Sequence, residues 1–317
     1  MKNNKFLIFF LLVATLIPLH SAGTGIEKNL FVLTSSCANP NPLLPWEKLP
    51  VQKNSGYALR ITEEYALTTE SLIHNSTLTT ISPPSAWNQF SAKTVCSDKD
   101  INLALIRTTF PPQNFFFPFQ HENGTVISSK FETIFIDESN SIKKEPVRLQ
   151  KTVVEVLPNR NYPLLLHLFQ SDSLSFTEGQ PILNGNGQLF GIVVYAEPQT
   201  KNAYVIPAKT ISLFTEDSFS PPYLGKPTIG ITWTPLNDPV KRSFLGVAGD
   251  NKGIHVLDTL FRSGKKNSLL PDDIIIKING TEIDSMGYYN HHVFGKILFS
   301  HIIEGHKPED SISLTII

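Results

Sequence analysis

The chain has 317 residues, of which 41% are hydrophobic and 17% charged, with a formal net charge of -1. That length suits about two domains with a sizeable core. The near-zero charge excludes a basic footprint, so neither nucleic acid nor an anionic membrane surface is expected as the main partner.

In chain order, Lys2 and Lys5 precede an apolar run from Phe6 to Leu19, and the small-residue stretch "HSAGTG" follows. This pattern predicts a secretory signal peptide over 1–22, cleaved after Ala22 or Gly23. The run is short for a membrane span and is broken by Pro18, and no later segment is apolar enough to span. Residues 23–56, with the Pro-rich "NPNPLLPWEKLP" (39–50), read as an irregular N-terminal segment.

From 57 to 217 short β-rich runs recur: "YALRI", "YALTT", "LALIRT", "FETIFI", "KTVVEVL", "LFGIVVYA" and "AYVIPA". The turn signals "NGT", "ESNS", "NRN" and "NGNG" separate them, a rhythm that predicts a sandwich or barrel. The Phe- and Pro-rich "PPQNFFFPFQHENG" (111–124) reads as the connection between two halves. Residues 218–225, in "SFSPPYLGKP", form a linker. The remainder, 226–317, reads as an α+β module with a helix around "GYYNHHVFGKILFSHI" (287–302) and a final strand "DSISLTII".

Cys37 and Cys96 are the two cysteines. They are either one disulfide or two buried thiols. In an exported chain pairing is the expectation.

The stretch "SFTEGQPILNGNGQLFGI" (175–192) has the rhythm of a protease nucleophile turn closing into a hairpin. Upstream, "YALTTESLI" (65–73) is similar to a segment that carries a catalytic His, and "DKDINLALIR" (98–107) to one that carries a catalytic Asp. "AYVIPAKTI" (203–211) is similar to the strand after such a site. Together with the domain order, the chain resembles the HtrA/Deg family of exported trypsin-like serine proteases with a C-terminal PDZ domain. The resemblance implies a mainly β fold, a trypsin-like double β-barrel followed by an α+β PDZ-like domain.

Carried over position by position, the resemblance puts Ser71 at the His position, Asn102 at the Asp position and Glu178 at the Ser position. Catalysis of this kind needs a hydroxyl, an imidazole base and an orienting carboxylate. None of the three stands in its place. The first and last glycines of the nucleophile turn map to Phe176 and Gln180, where glycine would let backbone N–H groups face an oxyanion. The expectation is an inactive homologue with no catalytic residue. A triad rebuilt around His74, with Thr177 or Ser175 flanking Glu178, is the rival reading. A structural envelope protein that binds no peptide is the third.

Glu178 with His167, or His291, His292, His301 and His306, lack recognised zinc spacings, so neither metal nor cofactor is expected.

In the last module, "PTIGITW" (227–233) resembles the family's carboxylate-binding loop. "LLPDDIIIKINGTEI" (269–283) and "HKPEDSISLTII" (306–317) resemble later segments of the same domain. The resemblance implies that Ile229, Gly230 and Ile231 bind peptides, through a nest of N–H groups for a terminal carboxylate and an apolar pocket. The implied partners are polypeptides, either C-terminal tails or unfolded segments. Co-assembly with itself or with HtrA-like relatives is also implied, in the periplasm or cell envelope.

Overall fold

The computed structural model describes residues 25–47, 49–84, 86, 88–110, 130–197, 199–247, 252–260 and 269–317. Six strands close the first barrel: β1 (Leu30–Cys37), β2 (Gln52–Arg60), β3 (Tyr65–Thr68), β4 (Ser76–Ser82), β5 (Phe90–Asp98) and β6 (Leu103–Thr108). Their order around it is β1-β2-β3-β6-β5-β4. A one-turn helix, α1 (Glu70–Ile73), joins β3 to β4. The second barrel uses β7 (Phe131–Ile136), β8 (Ile142–Val156), β9 (Pro163–Gln170), β10 (Pro181–Asn184), β11 (Leu189–Glu197) and β12 (Asn202–Pro207). Its order, β10-β11-β12-β9-β8-β7, is the same pattern. Closure leaves no free sheet edge. Helix α2 (Ala208–Ser218) then packs back on the barrels.

Strand periodicity explains why runs such as "LALI" are apolar on both faces. Ala104 and Ile106 point into the first barrel. Leu103 and Leu105 point the other way, into a shared core that also holds Leu166, Ile192, Val194, Ile206 and Phe214. In the second barrel Val193 and Val205 fill the interior beside Phe131, Phe169 and Phe190. Each large apolar side chain buried in this way stabilises by about 1.5–3 kcal/mol.

The first barrel begins earlier than the sequence suggested. Among the described residues of 23–56, where an irregular segment was expected, Leu30–Cys37 is a full barrel strand and β2 starts at Gln52. Buried and half-buried positions alternate along "LFVLTSSC", as a barrel strand requires. The signal-peptide region and the Phe-rich connection lie outside the described residues.

After the linker region come β13 (Ile231–Pro235), α3 (Pro239–Phe244), β14 (Ile254–Thr259), β15 (Ile274–Ile278), β16 (Thr281–Glu282), β17 (Tyr288–His291), β18 (Gly295–Leu298), α4 (Ser300–Glu304) and β19 (Leu314–Ile316). A five-stranded sheet runs β13-β14-β15-β16, with β19 also on β15, so β13 is an edge. The expected helix over 287–302 is instead the β17–β18 hairpin, with helix only at Ser300–Glu304. The turn explains the difference: the His291 ring Nδ1 accepts the N–H groups of Val293 (3.2 Å) and Phe294 (3.3 Å), and Gly295 takes φ +71°. That closure favours a hairpin over continued helix.

The module is seated on the second barrel. Glu304 is buried and accepts from the Leu165 N–H (3.0 Å) and the Thr210 hydroxyl (2.9 Å). Burial pushes its carboxyl above the usual range, opposed by those two donors and by Lys226. The Tyr162 hydroxyl donates to the Pro227 carbonyl (2.9 Å), and Lys307 pairs with Asp217 of α2 (3.2 Å). The linker is itself anchored, since Tyr223 donates to the Asp98 carboxylate and packs edge-on against Phe214.

Candidate functional site

Ser71 lies in the first turn of α1, where backbone N–H groups have no helical partner. The Asn102 side-chain oxygen supplies one, accepting the Ser71 N–H at 2.8 Å. Asn102 follows a turn held by Asp98, whose carboxylate accepts the N–H groups of Asp100 (2.8 Å) and Ile101 (3.3 Å). It adopts φ +54°, a left-handed conformation that Asn tolerates better than most residues. Its amide nitrogen donates to the Val194 carbonyl of the second barrel at 2.7 Å. An aspartate here would set a carboxylate against that carbonyl. The neighbourhood is therefore built for an amide.

Glu178 reaches the same place from the second barrel. The Ser71 hydroxyl donates to its Oε2, and the Thr69 hydroxyl donates to the same atom at 2.9 Å. Sequence reasoning thus named three residues that the fold does bring together. The glycine that survives in the turn is Gly179, at φ +81°. A Cβ there would stand 2.1 Å from the Tyr57 carbonyl oxygen, so no other residue fits. Gln180 is buried and ties the turn down. Its side-chain oxygen accepts the Thr177 N–H (3.0 Å) and its nitrogen donates to Thr133 (2.8 Å). Phe176 anchors in the core of the second barrel.

Two residues of the cluster carry no sequence signal. Arg160, in the turn between β8 and β9, donates to Asn102 Oδ1 (2.8 Å) and to Glu70 Oε2 (2.9 Å). The Arg160 and Glu70 side chains are only 10% and 7% exposed. Glu70 also binds the His74 Nδ1 at 2.5 Å. This is the one histidine near the triad positions that sequence reasoning offered as a displaced base. Among the described residues its partner is a carboxylate, not a hydroxyl, and half of its side chain is exposed.

The chemistry follows from the donors and acceptors. Ser71 cannot take a proton near neutral pH, and its hydroxyl acts as a donor. Glu178 meets two hydroxyls that belong to the other barrel. The cluster is hydrogen-bonded to itself and spans both barrels.

Neither cysteine pairs. Cys37 is buried beside Ser35 (3.4 Å) and Asn54 (3.4 Å), whereas Cys96 packs against the inter-barrel core. The expected disulfide is thus replaced by two free thiols whose side chains have different surroundings. Among the described residues no group of three His, Cys, Asp or Glu is arranged to hold a metal ion. His167 is a core residue, bonded to Thr152 (2.8 Å) and packed on Phe190, and burial lowers its pKa to about 4. His291, His292 and His301 cluster with Phe294 and Tyr289, and His306 meets Asn279 (3.0 Å).

In the last module, Ile229 lines a pocket of about 250 Å3 together with Leu269, Ile303, Ile312 and Leu314. Ile231 opens the edge strand β13 and packs on the module's core. Gly230 takes φ +70°, and its carbonyl accepts the Leu260 N–H at 2.8 Å. Its own N–H donates to the Thr228 hydroxyl at 3.2 Å.

No protein-family model and no curated protein matches this chain. Solved structures do match. A variant of the HtrA-type protease AlgW with a decapeptide superposes with a TM-score of 0.68 at 17% identity, over 92% of this chain and 90% of that one. AlgW with a tripeptide gives 0.65 at 17% identity, over 92% and 89%. The fold is therefore a trypsin-like double β-barrel, extended by the C-terminal module.

Proposed function

We propose that this chain is an exported, proteolytically inert counterpart of the HtrA-type proteases, and that it binds polypeptide through its PDZ-like C-terminal module. One observation carries the reading: the Ser71 hydroxyl is bonded to the Glu178 carboxylate at the place where an imidazole and a nucleophile would meet. The Ser71 hydroxyl is committed to a carboxylate that also accepts from Thr69, and the nearby imidazole of His74 is bound to Glu70 instead. The edge strand β13 and the Ile229 pocket support peptide binding, because an extended segment can add to such an edge and seat a side chain beside it. The peptides bound to AlgW are consistent with this use of the fold. Scaffolding, holding unfolded envelope proteins and regulating an active relative all fit such a binder. Export rests on the Lys2/Lys5 charges and the Phe6–Leu19 run.

The test uses protein recovered from the cell envelope. Intact mass should lack about the first 22 residues. A fluorophosphonate should label no serine, and unfolded casein should stay whole. An apolar peptide library should bind in the micromolar range, as one strand and one pocket allow. Casein cleavage abolished by substituting one Ser or Thr would overturn the inert reading.

A further inference from the structure

The resemblance to a carboxylate-binding loop implies C-terminal tails as ligands, but the pocket's own chemistry points elsewhere. A carboxylate needs free N–H groups or a cation. The Gly230 N–H, at the centre of the loop, is already given to the Thr228 hydroxyl. Among the described residues that line the pocket, the two that can be cationic are His306 and Lys307. Lys307 is drawn away to Asp217, and His306 is held by Asn279 and lies 3.7 Å from Asp310. Glu309 and Asp310 are exposed in the same lining. Glu309 takes φ +77°, and Asp310 accepts the Lys307 N–H at 2.8 Å. Among the described residues the lining sets apolar Ile229, Leu269, Ile303, Ile312 and Leu314 beside the exposed carboxylates of Glu309 and Asp310.

We propose that this pocket seats an apolar side chain from an internal, extended segment with Lys or Arg beside it, rather than a free C-terminus. This rests on the reading of the module as a peptide-binding one. The apolar part of the lining takes the side chain, β13 pairs with the backbone, and Glu309 with Asp310 attracts the flanking cation. An internal segment brings no terminal carboxylate, so it neither competes with Thr228 for the Gly230 N–H nor meets Glu309 and Asp310 with like charge. Charge complementarity of this kind sets partner choice more than affinity.

The experiment is fluorescence anisotropy on the full mature chain with three labelled nonapeptides of one core sequence. The first has a central Leu between two Lys and carries an acetylated N-terminus and an amidated C-terminus. The second has Glu in place of Lys. The third ends at the Leu with a free carboxylate. The first should bind best, by roughly fivefold over the second, with a difference that shrinks in high salt. Glu309→Lys should reverse that order while leaving the fold intact, as checked by circular dichroism. Thr228→Val frees the Gly230 N–H, and should improve binding of the third peptide and not of the first. If the free carboxylate binds best to the native chain, the inference is wrong and the peptide-binding reading stands. If none of the three binds, both fall together.

Discussion

The Ser71 hydroxyl of the first barrel donates its hydrogen to the Glu178 carboxylate of the second. Around that bond run three more connections between the barrels. Thr69 donates to Glu178, Asn102 donates to the Val194 carbonyl, and Arg160 reaches both Asn102 and Glu70. Together these bonds form a seam between the two barrels.

Restoring one residue should therefore restore nothing. Glu178→Ser supplies a hydroxyl but no imidazole, and residues of a triad act as a unit. The expected result is unchanged casein and no phosphonate label on residue 178, measured by mass spectrometry. Loss of the Glu178 carboxylate also leaves the Thr69 hydroxyl without its acceptor and Ser71 with only its longer bond to Thr69, so Tm should fall. A burst of product from the single variant would show that a base survives nearby.

Arg160 is the member whose removal should cost most. Arg160→Ala leaves the buried Glu70 carboxylate with only His74, which is half exposed. Breaking a buried pair by deleting one partner typically costs about 3–5 kcal/mol. His74 and nearby water should hold the loss near the lower end. Urea denaturation measures it, and Glu70→Gln combined with Arg160→Met should cost less than Arg160→Ala alone. Equal midpoints for native and Arg160→Ala protein would mean the seam carries no stability.

Cys37 and Cys96 should titrate as two thiols. Ellman's reagent in denaturant, without reductant, should count two per chain, and dithiothreitol should not move the melting midpoint. Burial raises the Cys96 thiol pKa, which further slows its oxidation. A count of zero in envelope-derived protein would restore the disulfide.

Stability should fall as pH drops from 6.5 toward 4. His167 is held neutral by burial, with its pKa lowered to about 4, and His301 likewise. A histidine whose folded value lies below its unfolded value stabilises in full above about 6.5 and loses that contribution as pH falls through the folded value. For His167 a gap of this size corresponds to roughly 3 kcal/mol at full titration. Glu304 has the opposite sign. Its raised value contributes below the ordinary carboxylate range and is lost as pH rises. His167→Phe should flatten the acid limb of a stability-against-pH profile, and Glu304→Gln should leave that limb in place. An acid limb unchanged by His167→Phe would assign it to other groups.

The sequence by itself determined the mainly β class, the "NGNG" hairpin and the three positions that meet at the seam. Local signals sufficed for the first two, and the resemblance supplied the three positions. Asn184 closes the hairpin by accepting from Asn186 and Gln188 (both 3.0 Å), and strands with two buried faces read as apolar runs. The chemistry at residues 71, 102 and 178 was legible because it depends on residue type at a position. The tertiary structure decided what distant residues do to one another. Arg160 sits 90 residues from Glu70 and 58 from Asn102, and nothing in "NRN" says that its side chain crosses between barrels. Strand β1 was missed because its pairing with β2 and β4, not its composition, makes it a strand. The hairpin at 288–298 was missed because ring-to-backbone bonds at His291 override a helical-looking string. The thiols stayed apart because each packs against different neighbours, a fact of topology that cysteine counting cannot reach.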